Sequence, residues 1–112
     1  MPTIKPSDYS TKQIAISLTA RALAHPCRVK MVELLIQYPG LTNKELSELL
    51  HLSKSSVHIH LKKLWDAGLI NVTYFPHALS LEITEKQIRN YRKLETLFNF
   101  KSRKTYHLSH LE

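Results

Sequence analysis

The side chains in this sequence that could do chemistry crowd into one short stretch. Between Ser53 and Lys63 stand Lys54, Ser55, Ser56, His58, His60, Lys62 and Lys63, a run of hydroxyls, imidazoles and ammonium groups with no carboxylate among them. With no acid to orient an imidazole, the run is poor material for a catalytic triad and good material for phosphates and base edges. The acids Glu33, Glu45, Glu48 and Asp66 fall on different helical segments and form no carboxylate pair, so no enzyme is expected. Two glycines, Gly40 and Gly68, cannot build a phosphate-cradling loop. The lone Cys27 closes no intrachain disulfide and supplies no cysteine-rich zinc cage. Arg28 beside it invites a redox-sensor reading; a small core residue at a helix start is preferred. His107 and His110 would share a face if the tail were helical, but two ligands do not complete a zinc site. No metal and no cofactor are expected.

Charge points to the partner. The 112 residues hold 16 Lys+Arg against 9 Asp+Glu, a formal charge of +7 before any of the seven histidines protonates. A polyanion is implied, nucleic acid ahead of an anionic membrane surface, and double-stranded DNA once the helix-turn-helix below is read. No apolar run approaches the roughly 18 residues of a membrane span, and the first residues lack a signal-peptide core, so a cytoplasmic protein is expected. The length and the 43% hydrophobic content suit one small globular domain.

These side chains need elements to hold them. Residues 1–7 read as a loose arm. A helix is predicted over 8–24, capped by Ser7 or Asp8, with Ile14, Leu18 and Ala22 recurring along one face. Pro26 opens a second helix, with Val29, Val32, Leu35 and Ile36 inward, which stops at Pro39-Gly40. Thr42 and Glu45 form a capping-box pattern that starts a short third helix, with Leu46, Leu49 and Leu50 inward. Ser53 caps a fourth, with Val57, Leu61, Leu64 and Trp65 inward, and Gly68 closes it. The period then changes to alternation: Ile70, Val72 and Tyr74, a Pro76-His77-Ala78 turn, then Leu79, Leu81 and Ile83, which is a two-stranded hairpin. A last helix is predicted over 85–100, with Ile88, Tyr91, Leu94, Leu97 and Phe98 on a broad apolar face, followed by a basic tail over 101–112. The fold class is mainly α with a small antiparallel β-hairpin. A helix-turn-helix followed by a hairpin is the winged helix-turn-helix order.

In that order the fourth helix is the DNA reader. Lys54, Ser55, Ser56, His58 and His60 lie off the Val57–Leu61–Leu64 stripe and are assigned to the groove, with Lys62 and Lys63 on phosphates. Thr42 and Lys44 at the start of the third helix, and His77 in the wing, complete the DNA-facing set. Protonation of His58, His60 and His77 beside phosphate should tighten binding as pH falls from about 8 to 6.

Residues 22–32, Ala-Leu-Ala-His-Pro-Cys-Arg-Val-Lys-Met-Val, together with Glu45 to Ser53, Val57, His60-Leu61, Leu64 and Ala67-Gly68-Leu69-Ile70, resemble ArsR-type winged-helix repressors over roughly residues 20–84. The resemblance implies a homodimeric transcription factor that sets the fourth helix in the major groove and the hairpin against the backbone. The first and last helices, both amphipathic and both outside the compact unit, would form the dimer interface through Ile14, Leu18, Ala22, Ile88, Tyr91, Leu94 and Phe98.

Departures from the family matter. Thr42 and Lys44 stand where many members carry two metal-binding cysteines, and no paired acidic and histidine motif precedes His107. His58-Ile59 replaces a frequent Ser-Arg, which removes a possible bidentate guanine contact. Ile59 is open to two readings, a thymine-methyl contact or packing against the third helix; packing is preferred. The wing tip Pro76-His77-Ala78 lacks the usual cation and glycine. The leading function is a sequence-specific DNA-binding regulator, a repressor without the cysteine metal site and with its effector unknown. The alternative is a winged-helix protein-interaction module with an incidental basic surface.

Overall fold

A computed structural model describes residues 6–76 and 79–98. After a 3-10 turn at Pro6–Asp8, the chain forms α1 (Thr11–Ala22), α2 (Pro26–Gln37), α3 (Asn43–Leu50), α4 (Lys54–Asp66), β1 (Asn71–Tyr74), β2 (Leu79–Glu82) and α5 (Glu85–Phe98). The predicted wing tip residue His77, the metal candidates His107 and His110, the end of the last helix and the tail all lie outside the described residues.

Side-chain chemistry explains where each helix starts. Ser10, not Ser7 or Asp8, caps α1: its hydroxyl accepts from the Gln13 amide at 3.1 Å, and the Gln13 side chain accepts from the Ser10 amide at 2.9 Å. The first helix therefore begins three residues later than the earlier polar pair suggests. At α2, the His25 imidazole does the capping, its Nδ1 accepting from the Cys27 amide at 3.1 Å ahead of Pro26 in the first turn. Thr42 and Glu45 make the reciprocal capping box of α3, and Ser53 accepts from the Ser56 amide to cap α4.

The two helices of the helix-turn-helix are joined by a tight reversal. His51 takes a left-handed conformation, φ 53°, and the Leu52 amide reaches back to the Ser47 carbonyl at 3.1 Å. The Ser47 hydroxyl donates to the Leu52 carbonyl, so one serine clamps both sides of the turn. Beyond α4, Gly68 at φ 74° lets the Gly68 amide bond the Trp65 carbonyl and the Leu69 amide bond the Leu64 carbonyl, at 2.9 and 3.0 Å. That pair of bonds is a Schellman termination. It turns Leu69 and Ile70 into the core and delivers the chain to the wing.

The hairpin pairs Asn71 with Glu82, Val72 with Leu81, Thr73 with Ser80 and Tyr74 with Leu79. Its second strand is tied to α3 by a bridge between Thr42 and Ser80 and by the Leu79 amide donating to Asn43 Oδ1 at 3.3 Å. Thr84 and Gln87 exchange side-chain-to-amide bonds at the start of α5, and Gln87 Nε2 also donates to the Gly68 carbonyl and Asn71 Oδ1. One core joins these elements: Met31, Val32 and Leu35 of α2, Leu46 of α3, Val57, Leu61 and Leu64 of α4, with Ile70, Leu81 and Tyr91 closing over it.

Two residues assigned to a dimer face belong to this core instead. Ala22 and Tyr91 are buried within one copy of the chain, Tyr91 with 4% of its surface exposed. Burial, with the Glu33 and Glu95 carboxylates nearby, pushes the Tyr91 phenol up to about 12, so its hydroxyl keeps its proton. Tyr91 docks α5 onto the domain.

Candidate nucleic-acid interface

Four side chains define the outermost line of α4. Ser55, Ile59, Lys62 and Asp66 recur at helical spacing opposite the buried Val57, Leu61 and Leu64, and all four are exposed. The N-terminus of the same helix carries three serine hydroxyls in one cluster: Ser53 Oγ lies 3.2 Å from Ser55 Oγ and donates to Ser56 Oγ at 3.0 Å. Ser56 is half-buried there, while Lys54 and Ser55 stand in solvent. The Lys54 and Ser55 amides belong to the first helical turn, whose N–H groups have no partner inside the helix and whose dipole favours an anion.

The flanks of α4 differ. Toward the wing lie His58, exposed, and Trp65, whose ring centroid is 5.7 Å from that of Tyr74 at a tilt of 56°. Toward α1 and α2 lies His60, half-buried and engaged by that corner of the fold. The His60 ring stacks at a tilt against His25 with centroids 4.7 Å apart, and its Nδ1 accepts from Arg28 Nε at 3.2 Å. Arg28 in turn donates to the Arg21 and Ala22 carbonyls, both at 3.3 Å. A guanidinium on the last carbonyls of α1 also suits that helix's negative end. Arg28 and His60 therefore pin α4 to the corner between α1 and α2. Burial first, then the neighbouring His25 and Arg28, lower the His60 pKa from its ordinary value. A proton on Nδ1 would remove the acceptor that Arg28 uses.

Three other assigned residues are placed as follows. Lys62 forms an exposed i,i+4 pair with Asp66 at 3.1 Å. Such pairs are worth about 0–1 kcal/mol, weak enough for a phosphate to displace the carboxylate. Lys63 is exposed on the side facing away from the wing. Thr42 is half-buried, and its hydroxyl is committed to Glu45, accepting from the amide at 3.1 Å and donating to the carboxylate at 3.0 Å. Lys44, two residues on, is exposed. Ile59 is not packed away: 57% of its surface is open, against the preferred packing reading.

No cluster of three or more His, Cys, Asp or Glu residues able to hold a metal occurs among the described residues. Cys27 is half-buried against the core. No helix among the described residues is long and apolar enough to cross a membrane. Missed from sequence were the His25 cap and the Arg28–His60 tie. The Pro26 that follows His25 was the available signal for the first; the second depends on how α2 and α4 cross.

A family model described as winged helix-turn-helix DNA-binding matches residues 28–71, from the start of α2 into β1. No curated protein sequence matches the chain. Among solved structures, the chain is similar to a homodimeric winged helix-turn-helix DNA-binding domain from Mycobacterium bovis, a possible ArsR-family transcriptional regulator, at a TM-score of 0.72 and 15% identity, covering 89% of this chain and 92% of that one. HlyU from Vibrio cholerae is similar at a TM-score of 0.64 and 21% identity, covering 80% and 97%. NolR from Sinorhizobium fredii is similar at a TM-score of 0.64 and 17% identity, covering 88% and 97%. The fold is that of a winged helix-turn-helix, and the segment from α2 into β1 is the part that matches the DNA-binding family model.

Proposed function

We propose that the chain is a sequence-specific transcriptional regulator that binds a palindromic operator as a homodimer and acts as a repressor without a cysteine metal site. The observation that carries this reading is α4: a serine-capped, cation-flanked N-terminus whose outer line is solvent-exposed on a scaffold built to present it. Lys54, Ser55 and His58 take the groove contacts, with Ser56 supporting the helix start; Lys44, Lys62 and Lys63 reach phosphates. His60 acts behind the surface, by holding α4 in place. Pairing between copies is supported by an apolar groove of about 890 Å³ between α1 and α5, bordered by Ile16, Leu23, Leu94, Leu97 and Phe98.

Competition binding tests the reading. The full chain should prefer a few duplexes from a random pool over bulk competitor, and affinity should fall steeply between 50 and 200 mM salt, with a log–log slope near 0.9 per phosphate contacted. Lys62→Ala should weaken all duplexes alike and reduce that slope by about 1 per α4 engaged. A second reading, a protein-interaction module, draws on the exposed Trp65, Tyr74 and Phe75 beside the wing. A salt-insensitive chain that prefers no duplex would favour it.

A further inference from the structure

Ile59 is the one member of the outer line of α4 that can neither donate nor accept a hydrogen bond nor meet a phosphate as an ion. It stands in the middle of that line, one turn beyond Ser55 and one turn before Lys62, in the second turn of the helix. Ser55 lies about 6 Å away along the axis, under two base-pair steps, so a duplex floor met by Ser55 extends beneath Ile59 as well. Serine hydroxyls accept or donate to several bases and discriminate weakly. At the far end, Lys62 and Asp66 partly satisfy each other. At the centre of the outer line, beside His58 on the flank toward the wing, the group left to discriminate is aliphatic. The apolar feature on the floor of the major groove is the C5-methyl of thymine. A single exposed isoleucine between polar neighbours is also too small to serve as a protein-docking patch.

We infer that Ile59 reads a thymine methyl in each half-site, making this position of the operator an A·T pair oriented with its methyl toward α4. The inference rests on the DNA-binding reading above. The test uses duplexes that the full chain enriches from a random-sequence pool, with each thymine replaced singly by deoxyuridine, which removes the methyl and keeps the pairing. One thymine per half-site should show a loss of about fourfold on replacement, and about fifteenfold when both half-sites are changed. Ile59→Ala should show no loss for the same replacement, and Ile59→Val an intermediate one, with circular dichroism confirming that both variants fold. Duplexes that are selected and bound tightly, yet show no uracil penalty or the same penalty in Ile59→Ala, would overturn the inference and leave the DNA-binding reading standing. If no duplex is enriched at all, the DNA-binding reading fails and this inference with it.

Discussion

At the scale of single residues, the most consequential contact is the one between Arg28 and His60. The neutral imidazole accepts from Arg28 Nε, and burial, His25 and Arg28 all lower its pKa. An unfolded histidine takes its proton near pH 6.5, whereas the folded one resists it. The unfolded state thus binds more protons as pH falls below about 6.5, so the stability His60 contributes is present above that pH and lost as pH falls through the folded pKa. We expect urea midpoints to fall between pH 7 and 5 more steeply in the natural chain than in His60→Gln, whose amide oxygen can still accept from Arg28. Equal pH dependence in the two would refute the tie. The same geometry removes His60 from the set of imidazoles whose protonation at the DNA surface was expected to tighten binding in mild acid. Sequence showed His60 off the Val57–Leu61–Leu64 stripe, and the spacing is right. It could not show that this flank faces Arg28, because residues 32 positions apart meet only through the crossing of α2 and α4. Ile59 is the converse case: spacing alone left it between core and surface, and in the fold it stands on the surface.

Elements were more legible than contacts, because caps and turns are local. Thr42 with Glu45, Ser53, Pro26 and Gly68 each mark a boundary through chemistry that acts within a few residues, and the structure uses all four as read. The hairpin register follows from alternation in the same way, with Val72 opposite Leu81 and Tyr74 opposite Leu79 on one face. The start of α1 was misplaced because two plausible caps precede the true one; only Ser10 has glutamine three residues on to answer it. Gly68 offers the sharpest check at this scale. Its φ of 74° is strained for any residue with a Cβ, while the space around it is open, so an added methyl would meet nothing within 4 Å. Gly68→Ala should therefore cost about 1–2 kcal/mol by backbone strain alone, read as a lower urea midpoint with unchanged slope. A neutral result would mean that the Schellman turn is not held in solution. A larger loss accompanied by a changed slope would mean that the wing and Gln87, which donates to the Gly68 carbonyl, come away with it.

The whole molecule has two exposed faces of opposite character, and their relation argues for pairing. One is the outer line of α4, polar except at Ile59; the other is the apolar surface of α1 and α5, where Ile16 is 58% and Leu97 78% exposed. A small domain that left such side chains in water would forgo roughly 1.5–3 kcal/mol for each one that could be covered. In a two-fold dimer every substitution acts at two places, so Leu97→Lys should remove at least about 3 kcal/mol of association and weaken the dimer by a hundredfold or more. Because Leu97 is outside the core, the monomer should keep its fold and its helix-turn-helix. The expected readings are a halved mass in native mass spectrometry at micromolar concentration, and DNA binding whose salt slope drops to about half, since one α4 with its flanking lysines then contacts phosphate where two did before. Affinity for an isolated half-site should stay unchanged. If Leu97→Lys remains dimeric and keeps the full slope, the copies pair elsewhere, and the α1–α5 face needs another occupant. If it becomes monomeric with the full slope intact, the natural chain engages DNA through one copy, and operator symmetry would not follow from its assembly.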